Sequence, residues 1–122
     1  MKEQQLTFGD MVKERRLQLC KTIRDLATEL EVSAAYLCDI ENGNRTAPIK
    51  LLKNFKERLR ITEDEENDFY DLAYASHNTC APDLIQFLIA NKEVRSTLRT
   101  IIKENEKNLK NLNEILFDKF LD

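Results

Sequence analysis

Two helix-start signals, Thr22-x-x-Asp25 and Ser33, stand so close together that only one short helix and a turn of about three residues fit between them. In the first, the threonine hydroxyl accepts from a first-turn amide while the aspartate reaches back to the amide of the threonine. The helix it opens turns Ile23, Leu26, Ala27 and Leu30 inward. Ser33 then caps a helix from Ala34 to about Asn42, with Leu37 and Ile40 on its apolar side. Asn42-Gly43-Asn44, residues that tolerate left-handed backbone, stop it.

The flanking segments read the same way. Phe8, Met11, Val12 and Leu19 follow helical spacing, so a first helix runs to about Cys20. Pro48 suits the first position of a fourth helix bearing Ile49, Leu52, Phe55 and Leu59. Thr62-x-x-Glu65 repeats the capping pattern ahead of a fifth, reaching about Ser76 with Phe69, Leu72 and Ala73 inside. Its acidic first turn complements the helix dipole and needs no functional account. Residues 77–81 form a linker, and Pro82 opens a strongly apolar helix through Ile89. Asn91 is positioned to cap a last helix bearing Val94, Leu98, Ile101, Leu109, Leu112, Leu116 and Phe120, with a break expected near residues 105–108. Only two glycines and two prolines occur, so the expected fold class is all-α: a helix-turn-helix domain over residues 1–76, then a helical C-terminal segment over 77–122 suited to dimerisation.

The net charge of −3 argues against a nucleic-acid partner until it is divided along the chain. Residues 1–60 carry twelve Lys/Arg against nine Asp/Glu, a balance of +3, whereas residues 61–122 carry seven against thirteen, a balance of −6. Only the first half is suited to phosphates. No run approaches the ~20 apolar residues of a membrane span, and Met1 to Thr7 is too polar for a signal peptide, so a cytoplasmic protein is expected. Cys20, Cys38 and Cys80 have neither disulfide-framework nor zinc-ligand spacing. His77, the one histidine, has no nucleophile or metal-ligand set at a recognisable spacing. No enzyme, cofactor or metal is implied.

Residue identity adds to this pattern. Thr22-Ile23-Arg24-Asp25-Leu26-Ala27, followed by Val32-Ser33-Ala34-Ala35-Tyr36-Leu37-Cys38-Asp39-Ile40-Glu41-Asn42-Gly43-Asn44-Arg45, resembles the phage repressor and Cro family of XRE-type regulators. The likeness extends from about Phe8 to Ala73. It implies a five-helix, lambda-repressor-like DNA-binding domain whose third helix enters the major groove. Carried over by position, Ser33, Ala34, Ala35, Tyr36 and Asp39 face DNA, while Thr22, Arg24, Asn42, Asn44 and Arg45 anchor phosphates. Arg16 and Glu41 are expected to form a structural ion pair. Three positions depart from the family: Glu31 and Cys20 stand where glycine is usual, at a cost on the order of 1 kcal/mol for a positive φ. Ile23 replaces a frequent glutamine.

The base-reading chemistry is modest. Alanine methyls can meet thymine methyls, the Tyr36 hydroxyl a phosphate or base edge, and Asp39 can accept from cytosine N4. Backbone contacts and DNA shape are therefore expected to supply much of the specificity. The expected function is a sequence-specific transcriptional repressor, bound to double-stranded DNA as a homodimer. The competing reading is a protein-interaction module, such as an antitoxin or antirepressor, whose acidic C-terminal half engages a basic partner and whose DNA affinity is secondary.

Overall fold

A computed structural model describes residues 6–105, and every regular element among them is helical. The helices are α1 (Phe8–Gln18), α2 (Ile23–Leu30), α3 (Ala34–Glu41), α4 (Leu52–Arg58), α5 (Glu63–Ser76), α6 (Pro82–Ala90) and α7 (Lys92–Glu104). The chain divides between Ala81 and Pro82 into two compact units, with α1–α5 in the first and α6–α7 in the second.

Short polar side chains start four of the five helices of the first unit, α4 being the exception. Thr7 Oγ1 accepts from the Asp10 amide while the Thr7 amide donates to the Asp10 carboxylate, at 3.1 and 3.2 Å. Thr22 and Asp25 repeat this at 3.0 and 2.9 Å. Ser33 Oγ accepts from the Tyr36 amide at 3.0 Å. Before α5, both the amide and the hydroxyl of Thr62 donate to Glu65 Oε1. Each contact satisfies a donor that the first helical turn would otherwise leave open.

All five helices of this unit end in one motif. A residue with left-handed backbone follows each last turn: Cys20, Glu31, Gly43, Arg60 and Asn78, with φ of 56°, 59°, 81°, 53° and 60°. The next amide then returns to a carbonyl five residues back, as in Val32 N–H to Ala27 O (2.9 Å) and Ile61 N–H to Lys56 O (3.0 Å). This Schellman closure satisfies the trailing carbonyls and normally takes glycine at the left-handed position. Four of the five positions here are not glycine; Cys20, Glu31 and Arg60 each carry a steric cost of roughly 1–2 kcal/mol, and Asn78 less, because its short polar side chain tolerates this backbone.

The core gathers Val12 from α1, Leu26, Ala27 and Leu30 from α2, Leu37 and Ile40 from α3, and Phe55 from α4. The Phe8 ring stands edge-on to both Phe55 and Phe69, at centroid distances of 5.7 and 5.5 Å. Full burial of one such side chain contributes about 1.5–3 kcal/mol. Two cations of the basic first half serve this packing. Arg15 Nη1 donates to the carbonyls of Leu59 and Arg60, and its Nη2 pairs with Glu65. Lys21 Nζ donates to Arg58 O at 2.9 Å and to Glu29 at 2.6 Å. Both close the C-terminal end of α4, where cations are favoured.

Four elements differ from the sequence expectation. α1 ends at Gln18 and α3 at Glu41, because the Schellman turns begin before Cys20 and Gly43. Pro48 does not open α4. With φ −59° and ψ 141° it is extended, and a 3-10 turn (Ile49–Leu51) intervenes before Leu52. Asn91 stands at the start of α7 but makes no cap; its Nδ2 donates backward to Phe87 O at 2.7 Å. Arg95 of α7 likewise donates to Leu88 O and Ile89 O, closing the end of α6. The expected apolar positions Leu109, Leu112, Leu116 and Phe120 lie outside the described residues.

Candidate nucleic-acid interface

α2 and α3 are joined by Glu31, Val32 and Ser33. Glu31 reverses the chain through its left-handed backbone, Val32 packs against the core, and Ser33 caps α3. The turn is thus held at three consecutive residues by a backbone closure, an apolar contact and a side-chain cap. α3 buries Leu37, Ile40 and Glu41, leaving Ser33, Ala34 and Ala35 exposed and Tyr36, Cys38 and Asp39 half-buried.

Two contacts seat the end of α3 on α1. Arg16 donates from Nε and Nη2 to Glu41 Oε2 and Oε1, at 2.8 and 3.1 Å. Gly9 lies flat against α3, where a Cβ would sit 2.5 Å from the carbonyl oxygens of both Ile40 and Glu41. Only glycine permits that approach.

Thr22 and Arg24 are exposed at the start of α2. The Thr22 and Ser33 hydroxyls act as acceptors in their caps, and each retains its O–H to donate elsewhere. The Thr22 amide beside Asp25 is the main influence holding that carboxyl below the ordinary aspartate range, with the hydroxyl second. Asp25 therefore stays ionised, its oxygens turned to its own helix end.

Asn42, Asn44 and Arg45 are exposed after α3. Gly43 turns the chain, and the Asn44 amide donates back to Asp39 O at 2.8 Å. The reversal returns Arg45 to α3, where its guanidinium carbon lies 4.8 Å from the centroid of the Tyr36 ring. Farther on, the ring of His77, just past α5, binds Ala47 O through Nε2 at 2.7 Å. The loop is thus fastened at both ends. Beside it opens a cavity of about 390 Å³, bordered by Phe8, Ile40, Arg45, Ala47, Leu72 and Ala75 among others.

Of the site residues expected from sequence, the structure brings Arg16 onto Glu41 and Arg45 onto Tyr36. Thr22, Arg24, Ser33, Ala34, Ala35, Asn42 and Asn44 are solvent-exposed, and Asp39 is half-buried. The supporting roles of Gly9 and His77 were not expected. Gly9 did carry a signal, since a glycine in a first helical turn marks close approach of another backbone. Nothing in the sequence linked His77 to Ala47. Among the described residues no group of His, Cys, Asp and Glu could hold a metal ion, and no helix is long and apolar enough to cross a membrane. No protein-family model, curated protein or solved structure matches this chain.

Proposed function

We propose that this chain is a sequence-specific DNA-binding transcriptional regulator of the XRE type, acting in the cytoplasm as a repressor. Residues 1–76 form its helix-turn-helix domain, with α3 laid in the major groove, and residues 77–122 join two copies. The observation that carries the reading is the state of α3. Its inner side is clamped through Glu41 and Gly9, while Ser33, Ala34 and Ala35 stand open to solvent. A helix read by DNA needs that combination of rigid seating and an outer side narrow enough to enter the groove. The alanines suit close approach to thymine methyls, and the Thr22 and Ser33 hydroxyls and Arg24, Asn42, Asn44 and Arg45 suit phosphates.

One such domain makes few contacts. Binding as a two-fold dimer, with half-sites about 34 Å apart, supplies the rest. α6 supports an association role, since Leu84, Phe87 and Ile89 are 47%, 56% and 70% exposed. A gel-shift series with promoter fragments from the protein's own operon tests the reading. One fragment should bind at about 10⁻⁸ M or tighter in moderate salt. Equally weak binding to every fragment would overturn it in favour of a protein-interaction module, which the −6 charge of residues 61–122 favours.

A further inference from the structure

We infer that Tyr36 serves DNA binding through its ring face, as the platform that positions Arg45. This rests on the DNA-binding reading above and names how one of its contacts is prepared. Tyr36 packs against the core of the first unit and is half-buried. Arg45 is exposed, and the Gly43 turn returns it over that ring, with its guanidinium carbon 4.8 Å from the centroid. That distance lies within the range of cation–π attraction, and guanidinium is the cation best suited to lie flat on an aromatic face.

The consequence is positional. A free arginine side chain samples many rotamers and loses that freedom when it grips a phosphate or base edge. Held on the ring, Arg45 meets DNA already confined, with its outward edge and its donors open. The Tyr36 ring is itself fixed, because Leu37 beside it is fully buried and Ser33 caps the Tyr36 amide. Arg45 thus inherits its placement from the domain core although it sits in an exposed loop.

The test is a double-mutant cycle in the full chain, read by binding to the operator fragment and by proton NMR of the Arg45 side chain. Tyr36→Phe keeps the ring and should bind more tightly than Tyr36→Leu. Tyr36→Leu should weaken binding about two- to fivefold, the equivalent of an exposed cation–π contact. Adding it to Arg45→Ala should weaken binding no further than Arg45→Ala alone. Ring-current shifts on the Arg45 methylenes should persist in Tyr36→Phe and vanish in Tyr36→Leu. If Tyr36→Leu unfolds the domain, the ring-current shifts on the Arg45 methylenes in the parent and in Tyr36→Phe replace it, and they are expected in both. Absence of those shifts in the parent, losses that multiply, or Tyr36→Phe as weak as Tyr36→Leu would overturn the platform role while leaving DNA binding intact. A parent chain that binds no fragment selectively would remove the DNA reading itself, and the platform role with it.

Discussion

Arg16 and Glu41 face each other with side chains only 8% and 2% exposed, joined by two parallel N–H to oxygen contacts, and Arg16 Nη1 also donates to Lys21 O at 2.9 Å. One guanidinium therefore ties the end of α3 to α1 and to the chain entering α2. Among the described residues no buried side-chain nitrogen or oxygen lacks a hydrogen-bond partner, so both charges are fully accommodated. An ion pair of this kind confers orientation more than net stability, because desolvation offsets much of its attraction.

Removing one member of the pair exposes that imbalance. Glu41→Ala leaves a buried guanidinium without a counter-charge and should cost about 3–5 kcal/mol, read as a lowered urea midpoint. Replacing both residues by apolar side chains of similar volume, Arg16→Met with Glu41→Leu, should recover most of the loss. A double variant no more stable than Glu41→Ala alone would show that the pair's hydrogen bonds, and not the uncompensated charge, set the cost.

The left-handed positions offer a gain. Glu31 carries a Cβ at φ 59° in the turn between α2 and α3, with its own side chain exposed. Glu31→Gly should raise stability by up to about 1 kcal/mol, relief of strain exceeding the added freedom of the unfolded chain. Glu31→Ala keeps a Cβ and should stay within about 0.5 kcal/mol of the parent. If the two variants melt alike, the strain at this turn is already relieved by other means.

Local chemistry explains which parts of this fold were legible in the sequence. The starts of α2, α3 and α5 follow from Thr22, Ser33 and Thr62, whose effects act within three residues. Thr7 and Asp10 carry the same signal ahead of α1, where apolar spacing alone had marked the start. The helix ends were harder to read. Glycine is the usual marker of the left-handed turn; only the family resemblance marked Cys20 and Glu31, and Arg60 and Asn78 occupy it without announcing it. The contacts that seat α3 span longer distances. Arg16 and Glu41 are 25 residues apart, and only the resemblance to a family joined them. The Arg45–Tyr36 stack and the His77–Ala47 bond depend on how the loop after α3 returns, which no spacing rule encodes.

Gly9 and Gly43 separate two reasons for conserving space and conformation. A Cβ at Gly9 would strike the Ile40 and Glu41 carbonyls, whereas at Gly43 it would meet nothing within 4 Å and only the φ of 81° resists it. Gly9→Ala should therefore push α1 away from α3 at a cost of about 1–3 kcal/mol. Under the proposed DNA-binding function it should also weaken operator binding beyond its effect on the folded fraction. Gly43→Ala should cost about 1–2 kcal/mol, from backbone strain alone. Equal effects of the two on DNA affinity would mean that the seating of α3 does not depend on Gly9.

Asp39 is the one acidic candidate on the outer part of α3, half-buried, with its carbonyl occupied by the Asn44 amide. As a carboxylate it can only accept, which suits a cytosine amino group. Under the proposed DNA-binding function, Asp39→Asn adds a donor and should change the preferred base at one position of each half-site, measured by selection from a randomised fragment pool. A selected motif identical to the parent's would exclude Asp39 from base reading.

The capping carboxylates make part of the stability pH-dependent, with a definite sign. The Thr22 amide, then its hydroxyl, holds the Asp25 carboxyl below its ordinary range; the Thr62 amide is the leading cause of the same shift in Glu65. A carboxyl with a lowered folded pKa contributes stability that is present above its unfolded pKa and is lost as pH falls through the folded one. Asp25→Asn cannot ionise, so its deficit in melting temperature against the parent should be largest near neutrality and shrink below about pH 4. Lys56 runs the other way. Its hydrogen bond to Glu66 holds it above the ordinary lysine range, so its contribution is present below its unfolded pKa and lost as pH rises through the folded one. Lys56→Met should accordingly approach the parent only in strong alkali. A deficit of Asp25→Asn that widens on acidification would mean that the carboxylate form does not carry the cap's contribution.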